Sequence, residues 1–172
     1  TVNQRHLLLL FIIFAFNFSH GQSTNLNLGV PFITQYPKQV FKGGTQTWEI
    51  VQGKNGVLYF ANNAGLLSFD GLHWETFPLP NQTIVRSVAI DGAENIYVGG
   101  QDEIGYFSAD STGKLIFKSI KHQLIDSSQN LADIWDVCIV QGRLFFRTTD
   151  KVYMREGGQI QKVFSGEDIS MM

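Results

Sequence analysis

Short apolar runs separated by small polar turns recur along most of the chain. The phrase "VLYFANNAGLLSFDG" at positions 57–71 returns in altered form as "IYVGGQDEIGYFSAD" at 96–110 and as "LFFRTTDKVYMREGG" at 144–158. Self-similarity at a spacing of roughly 40 residues is the sequence signature of a repeat architecture. We therefore interpret the chain as an array of like units.

Each unit is predicted to contain four short β-strands. In the first unit these strands cover residues 48–52, 57–61, 66–69 and 74–77. Turn dipeptides such as Asn55-Gly56 and Asp70-Gly71 stand between the runs, and they tolerate the positive φ angles of tight hairpin turns. No stretch beyond the first 21 residues has apolar residues at helical spacing over three turns, so no helix is expected there.

The second strands of the units are near-continuous apolar runs, "VLYFA", "NIYVG" and "RLFFR". Such runs are typical of sheets that are covered on both faces. Four-stranded units covered by like units on both sides describe the blades of a β-propeller. The predicted fold is therefore all-β, a β-propeller of four-stranded antiparallel blades of which about three are visible. A single β-sandwich is the alternative, but a sandwich gives no reason for the sequence to repeat.

The repeats divide the chain into three predicted blades, at residues 47–80, 81–129 and 130–168. The second blade is extended by the loop "KHQLIDSSQNLAD". A propeller needs about four to eight blades to close, so we expect the ring to continue past the third blade. The segment 22–46 is expected to contribute to the blade that closes the ring.

The first 21 residues have the order of a secretory signal peptide. Arg5 precedes an apolar run from Leu7 to Phe18, and small residues follow at Ser19 and Gly21. The run is shorter than the roughly 20 apolar residues that cross a bilayer, although an uncleaved anchor is the alternative. The sequence predicts a signal peptide at residues 1–21 and export of the chain from residue 22 onward.

The charge and the cysteine content of the sequence limit the kinds of partner and crosslink that are expected. The formal net charge is −2, and no basic stripe is present, so nucleic acid is not an expected partner. The single cysteine, Cys138, lies in the apolar run "IWDVCIV" and is expected to be a small buried residue without a disulfide partner.

The ionisable residues suggest no catalytic, metal or cofactor site. Acidic residues stand in turns or singly in loops, and neighbours in sequence such as Asp102-Glu103 do not flank a substrate, whereas acid–base hydrolysis needs two carboxylates across one cleft. The four histidines have no metal-ligand spacing, and no Ser-His-Asp order is convincing. We therefore predict a binding protein rather than an enzyme.

The stretch "GVPFITQYPKQVFKGGTQTWEIVQGKNGVLYFANNAGLLSFDG" resembles the opening of bacterial sensor proteins built from two-component-regulator propeller repeats. The repeat of that family runs Trp-x-Ile, a turn Gly, an apolar-aromatic strand and Gly-Leu-x-x-Phe/Tyr-Asp-Gly. The matching residues are Trp48, Ile50, Gly56, Leu58, Tyr59, Phe60, Gly65, Leu66, Phe69, Asp70 and Gly71. "YVGGQDEIGYFSADSTGKL" is similar to the second repeat of the subgroup with a triple-tyrosine module after the propeller. The third unit departs, with Asp150-Lys151 in place of Gly-Leu and Gly157-Gly158 in place of Asp-Gly.

The resemblance implies the exported sensor region of a membrane-bound signalling regulator, on the periplasmic side of the inner membrane. A later membrane span would connect it to a histidine kinase or a helix-turn-helix DNA-binding output, and neither motif occurs in this sequence. The implied partner is a ligand outside the cytoplasm, with a carbohydrate as one candidate, and homodimerisation is left open. The alternatives are an exported propeller enzyme that acts on glycans and a scaffold that docks proteins.

The candidate ligand-binding residues are Trp48, Arg86, Trp135, Gln101 and Asp102. The first three begin equivalent first strands of the units, which would place them at the mouth of the channel or between blades. Two indoles and a guanidinium can stack on a sugar or clamp an anion. The competing interpretation is that the tryptophans recur because they pack between blades.

Overall fold

A computed structural model of the protein describes Gly29, residues 31–125 and residues 131–166. The predicted signal peptide, residues 22–28 of the N-terminal segment, residues 126–130 of the long loop and residues 167–168 of the third predicted blade lie outside the described residues. The chain divides into a unit of residues 1–35 and a unit of residues 36–172. The described part of the first unit, Gly29 and residues 31–35, contains neither helix nor strand.

The described part of the second unit begins with a one-turn helix and continues as strands. The helix, α1, spans Lys38–Phe41, and a short 3-10 turn spans Lys121–Gln123. The strands are β1 (Thr47–Gln52), β2 (Leu58–Asn62), β3 (Gly65–Phe69), β4 (Trp74–Phe77), β5 (Val85–Ile90), β6 (Ile96–Gly100), β7 (Ile104–Ala109), β8 (Leu115–Ser119), β9 (Asp136–Val140), β10 (Arg143–Arg147), β11 (Lys151–Glu156) and β12 (Gln159–Ser165).

These strands form three four-stranded sheets in the described residues, and every pairing is antiparallel between consecutive strands. β1–β4 form sheet 1, β5–β8 form sheet 2 and β9–β12 form sheet 3. The predicted strands of the first unit agree with the structure to within one residue at each end. The expectation of no helix was wrong at α1, because a single turn is too short to leave a periodic apolar pattern.

The sheets stand side by side with their first strands adjacent. β5 contacts both β1 and β9, so the first strand of each sheet lies at a shared inner edge. Two apolar clusters fill the spaces between successive sheets. The cluster between sheets 1 and 2 contains Tyr59, Ala61, Leu66, Leu79, Val85, Val88, Ile96, Val98 and Phe107, and the cluster between sheets 2 and 3 contains Tyr97, Ile104, Ile120, Leu124, Leu131, Ile134, Val137, Leu144, Phe146, Tyr153 and Ile160. This is a propeller-like arrangement rather than a two-layered sandwich.

Successive residues of each strand point to opposite faces, so every sheet has a forward face, toward the next sheet in chain order, and a rear face. Val51 and Ala89 lie on forward faces, and Val88 and Val137 lie on the rear faces that meet them. This alternation explains the continuous apolar runs of the sequence, because sheet 2 is covered on both faces.

Glycine recurs where the outermost strand of a sheet approaches closely. A Cβ on Gly65 would lie 2.4 Å from the carbonyl oxygen of Phe77, and a Cβ on Gly105 would lie 2.5 Å from that of Lys118. Gly65 also has a φ of +121°, which residues with a side chain rarely adopt. The glycine at this position of the repeat, followed by Leu66 in sheet 1 and by Tyr106 in sheet 2, therefore permits the pairing of the last two strands in both sheets.

The acidic residues of the repeats act mainly as turn residues. Asp70 Oδ1 accepts hydrogen bonds from the backbone N–H groups of Leu72 (2.8 Å) and His73 (2.6 Å). These two bonds, assisted by the His73 ring, lower the pKa of Asp70 to about 2. Asp91 accepts similar bonds in the turn between β5 and β6, and Asp110 does so in the turn between β7 and β8.

Candidate ligand site at the inner strands

Two β-bulges aim side chains at the inner edge. The pairing of β1 with β2 passes from Thr47 to Glu49 and leaves Trp48 unpaired, and the pairing of β5 with β6 passes over Arg86 in the same way. A bulge turns the extra residue away from the regular alternation and often redirects a side chain toward a site. Trp135 stands directly before β9, and its backbone N–H donates to the backbone carbonyl of Arg147 over 2.8 Å.

The side chains of Trp48, Arg86 and Trp135 meet. The guanidinium carbon of Arg86 lies 4.8 Å from the ring centroid of Trp48 and 4.2 Å from that of Trp135. The two indoles are 6.2 Å apart, edge to face. Each stacked cation–π contact contributes about 0.5–2 kcal/mol, depending on how far water is excluded. Residues from three successive sheets thus form one cluster, which we call the Trp–Arg cluster.

Asp133 completes the Trp–Arg cluster. Its Oδ2 accepts a hydrogen bond from Arg86 Nη2 over 2.9 Å, and the side chains of Arg86 and Asp133 are 12% and 24% exposed. Arg86 Nε and Asp133 Oδ1 are buried and have no hydrogen-bond partner among the residues that the structure describes. An arginine–carboxylate pair can form two parallel bonds, and this pair forms one. One donor and one acceptor are therefore left beside the two indoles.

Gln101 and Asp102 hold the segment that carries Asp133. Gln101 forms an isolated antiparallel bridge with Asp133. Asp102 donates its backbone N–H to the carbonyl of Ala132 over 2.7 Å and accepts the N–H of Leu131 on Oδ1 over 3.0 Å. Its second carboxylate oxygen lies 2.7 Å from Lys121 Nζ. These two residues therefore position the segment that carries Asp133, and whether either of them also contacts a ligand stays a prediction.

Trp48 presents the open surface of the cluster. It is 39% exposed, whereas Arg86 and Trp135 are more deeply set. Its Nε1 donates to Asn63 Oδ1 over 2.8 Å, which fixes the indole against the turn between β2 and β3. Asn62 fixes this turn through its side-chain amide. Its Nδ2 donates to the backbone carbonyls of Gly44 and Gln46, and its Oδ1 accepts the backbone N–H of Gly44. A ring that is fixed and partly exposed is a suitable stacking platform.

Asp133 and Asn63 belong to the site and were not predicted from the sequence. Both lie in loops, where the repeat pattern gives no position to compare. Asn63 belongs to the turn phrase "NNAG", so its place on the rim was visible, but its bond to an indole was not. Asp133 lies in the insertion that breaks the period.

A carboxylate–hydroxyl relay joins the three sheets next to the cluster. Glu49 Oε2 accepts from the hydroxyl of Ser87 (2.6 Å) and from the backbone N–H of Val88 (2.8 Å). Ser87 Oγ accepts from the backbone N–H of Val137 over 2.8 Å. Glu49 and Ser87 occupy the same position of their repeats, directly after Trp48 and Arg86. The relay therefore couples the inner edges of neighbouring sheets.

Within residues 31–125 and 131–166, no group of three or more His, Cys, Asp and Glu residues comes together in a way that would hold a metal ion. In the same ranges no helix has the length and apolar character of a membrane span.

No protein-family model matches the sequence, and no curated protein matches it. The solved structures that are similar to it include two extracellular domains. The extracellular domain of a B. thetaiotaomicron protein described as a one-component system superposes with a TM-score of 0.55 at 16% identity, over 72% of this chain and 18% of that chain. The extracellular domain of a protein described as a hybrid two-component system, from the same organism, gives a TM-score of 0.55 at 20% identity, over 80% of this chain and 18% of that chain.

At these identities the likeness establishes the fold. The present chain spans 18% of the length of either structure. Both neighbours are extracellular domains of signalling systems, the class of protein that the repeat phrases resemble.

Proposed function

We propose that the chain is the exported sensor region of a membrane-bound signalling regulator. Three lines support this function: the repeat phrases resemble propeller sensors, the fold is shared with two extracellular domains of signalling systems, and the inner edge carries the Trp–Arg cluster. The observation that carries the proposal is the Trp–Arg cluster, because three successive repeats each contribute one side chain to it.

The proposed function also assigns a location and a membrane attachment to the chain. The first 21 residues act as the signal peptide, and the sheets are blades of a closed β-propeller on the periplasmic side of the inner membrane. A later segment attaches the sensor to the membrane and connects it to a kinase or a helix-turn-helix output. The whole regulator would then work as a homodimer.

The ligand is proposed to be a carbohydrate. The exposed face of Trp48 offers stacking to the apolar face of a sugar ring. Arg86 Nε is a free donor and Asp133 Oδ1 a free acceptor, so a small shift of the Arg86–Asp133 pair would let a sugar hydroxyl bond to both. Such a hydroxyl would relieve two buried unsatisfied groups, each of which costs about 1–3 kcal/mol.

Signal transfer is proposed to run through the relay. A ligand that bonds to Arg86 pulls on β5, and β5 is joined to β1 through Glu49 and to β9 through Val137. Contacts with three sheets allow one ligand to change how the sheets sit against each other. A ligand shifts such an equilibrium only by its difference in affinity for the two arrangements.

The proposal is tested with a panel of neutral and acidic oligosaccharides, by thermal shift and by intrinsic tryptophan fluorescence. The chain has three tryptophans, so Trp74→Phe removes the one that lies outside the cluster. We expect a binding oligosaccharide to raise the unfolding midpoint and to change the fluorescence equally in the wild type and in Trp74→Phe. A panel without any effect contradicts a carbohydrate ligand, and a signal lost in Trp74→Phe contradicts this location.

A glycan-hydrolysing enzyme finds no comparable support in the described residues. Its two carboxylates would have to flank one cleft, but Asp70, Asp91 and Asp110 are engaged in turns, and Asp133 is paired with Arg86. Analysis of the oligosaccharide after incubation with the protein distinguishes the two functions. An intact oligosaccharide that binds supports a sensor, and shorter products support a hydrolase.

A further inference from the structure

The polar atoms that the Trp–Arg cluster leaves unbonded are one donor and one acceptor. Within the described residues, Arg86 Nε and Asp133 Oδ1 are buried and form no hydrogen bond, although their side chains are joined by the bond of 2.9 Å between Arg86 Nη2 and Asp133 Oδ2. A ligand group that satisfies both atoms must accept one hydrogen bond and donate another. A hydroxyl does both, whereas an ionised carboxylate only accepts.

The positive charge of Arg86 is already compensated without a ligand. Asp133 supplies a countercharge, and the guanidinium carbon lies 4.8 Å and 4.2 Å from the ring centroids of Trp48 and Trp135. The face of an aromatic ring carries partial negative charge, which attracts a cation and disfavours an anion. An anionic ligand would therefore have to compete with a carboxylate and two indoles for Arg86.

The cations in two segments next to the cluster are paired as well. Arg147, whose backbone carbonyl accepts the N–H of Trp135, forms an ion pair with Asp136. Lys121 Nζ lies 2.7 Å from the carboxylate of Asp102, the residue that holds the segment of Asp133. These two ion pairs add no net positive charge to the inner edge.

Glu49 adds a negative charge to the inner edge. It follows Trp48 directly, and its Oε2 accepts hydrogen bonds from the Ser87 hydroxyl (2.6 Å) and from the Val88 backbone N–H (2.8 Å). Both donors are neutral, so they leave the charge of the carboxylate in place. Since the three ion pairs cancel, these groups together carry an excess of one negative charge, which repels an anion.

We infer that the Trp–Arg cluster selects neutral saccharides over acidic ones, and that Asp133 sets this selectivity. The inference rests on the proposed carbohydrate-binding function and names its ligand class. A hydroxyl of a neutral sugar accepts from Arg86 Nε and donates to Asp133 Oδ1, while Trp48 stacks on the sugar ring. A carboxylate in the same place leaves Asp133 Oδ1 unsatisfied and puts two negative charges side by side. Unpaired polar groups and like charges are the means by which a binding site rejects a wrong ligand.

The experiment compares matched pairs of trisaccharides with the gluco, galacto and manno configurations. The members of a pair differ only at the exocyclic carbon, which is a hydroxymethyl group in the neutral member and a carboxylate in the acidic one. Isothermal titration calorimetry with the full chain measures both affinities at low and at high salt. We expect every pair that binds to favour the neutral member at least about tenfold. The affinity of the neutral member should change little with salt, because that ligand carries no charge to be screened.

The outcomes separate this inference from the function on which it rests. Equal affinities within a pair, or tighter binding of the acidic member, overturn the neutral selectivity and leave a carbohydrate sensor in place. Absence of binding by both members of every pair overturns the carbohydrate ligand, and the inference with it.

Asp133→Asn tests the residue itself, because it removes the charge at almost unchanged size. We expect the preference for the neutral member to fall at least about tenfold, since the charge of Arg86 is then free to attract a carboxylate. The control, Asp110→Asn, removes a carboxylate from the turn at the end of β7 that is remote from the Gln101–Asp133 bridge, and it should keep the wild-type preference. An unchanged preference in a folded Asp133→Asn, or equal changes in both variants, overturns the role of Asp133.

Asp133→Glu is the second variant, which retains the charge if the loss of the ion pair prevents Asp133→Asn from folding. The longer side chain displaces the carboxylate, so both members of a pair should bind more weakly while the neutral member stays preferred. A preference of Asp133→Glu for the acidic member overturns the inference.

Discussion

The hydroxyl of Ser87 donates to the carboxylate of Glu49 over 2.6 Å and receives the backbone N–H of Val137 over 2.8 Å. One side chain, 2% exposed, therefore joins three sheets at their inner edge. Hydrogen bonds to a charged group contribute about 1.5–3 kcal/mol, more than most neutral ones. Because these hydrogen bonds are directional, they fix the relative position of the three sheets.

Ser87→Ala should lower the free energy of unfolding by about 2–4 kcal/mol, because a charge-assisted bond is lost and the Val137 N–H is left unpaired. Denaturant titration measures the change, and amide exchange at Val137 should become faster. Ser68→Ala, a half-buried serine of β3 with no side-chain bond to lose, is the matched control and should change stability by less than about 1 kcal/mol. Equal effects of the two substitutions would contradict the linking role of Ser87.

Arg86→Met should destabilise the protein by about 2–4 kcal/mol, because it removes the partner of a largely buried Asp133 and both cation–π contacts. Arg86→Lys should recover only part of the loss, since an ammonium does not stack flat between two indoles. The control is Lys54→Met, whose ion pair with Glu94 is exposed and contributes at most about 1 kcal/mol. A harmless Arg86→Met would show that the Trp–Arg cluster is not a structural unit.

Gly65→Ala should destabilise sheet 1 by more than about 3 kcal/mol, because the methyl group meets the Phe77 carbonyl oxygen and φ is positive. Gly71→Ala shares the positive φ, +101°, but has no atom within 4 Å of the new Cβ. It should cost only the backbone strain, about 1 kcal/mol. Thermal unfolding of both variants separates strain from close approach, and equal midpoints would exclude a steric role for the β4 backbone.

The turn between β3 and β4 should loosen in acid. The pKa of Asp70 is lowered from 3.8 to about 2 in the folded protein, so its carboxylate stabilises the turn above pH 4. This contribution is lost as the pH falls from about 4 through 2, because the folded state must then take up the proton. Amide exchange at Leu72 and His73 should accelerate over this interval, and Asp70→Asn should remove the pH dependence. An unchanged profile in Asp70→Asn would assign the effect to another group.

The all-β class, the four-stranded units and the strand positions could be predicted from the sequence because repetition shows which runs are equivalent. Trp48, Arg86 and Trp135 could be aligned for the same reason. Their meeting point could not be predicted, since it depends on bulges at Trp48 and Arg86 that period-two patterns do not reveal. The role of Asp133 was also hidden, because its partner lies 47 residues away and in another sheet.

Of two further expectations, one stays a prediction and the other was wrong. Gln101 and Asp102 were predicted to contact a ligand. In the structure both residues bind the loop that carries Asp133. Whether either residue also touches a ligand stays a prediction. Cys138 was expected to be buried, but it is half-buried. Full burial at its position in β9 requires a following sheet that packs on sheet 3.

The exposed face of Trp48 is the part of the proposed site that a ligand would reach first. The most direct test is the affinity of the best oligosaccharide from the panel for the wild type and for Trp48→Ala, measured by isothermal titration calorimetry, with Trp74→Ala as the control. Loss of the Trp48 stacking contact, at about 1.4 kcal/mol, should weaken binding about tenfold in Trp48→Ala and leave Trp74→Ala near the wild type. Unchanged affinity in Trp48→Ala, with the fold intact by circular dichroism, would contradict the assignment of this site to ligand sensing.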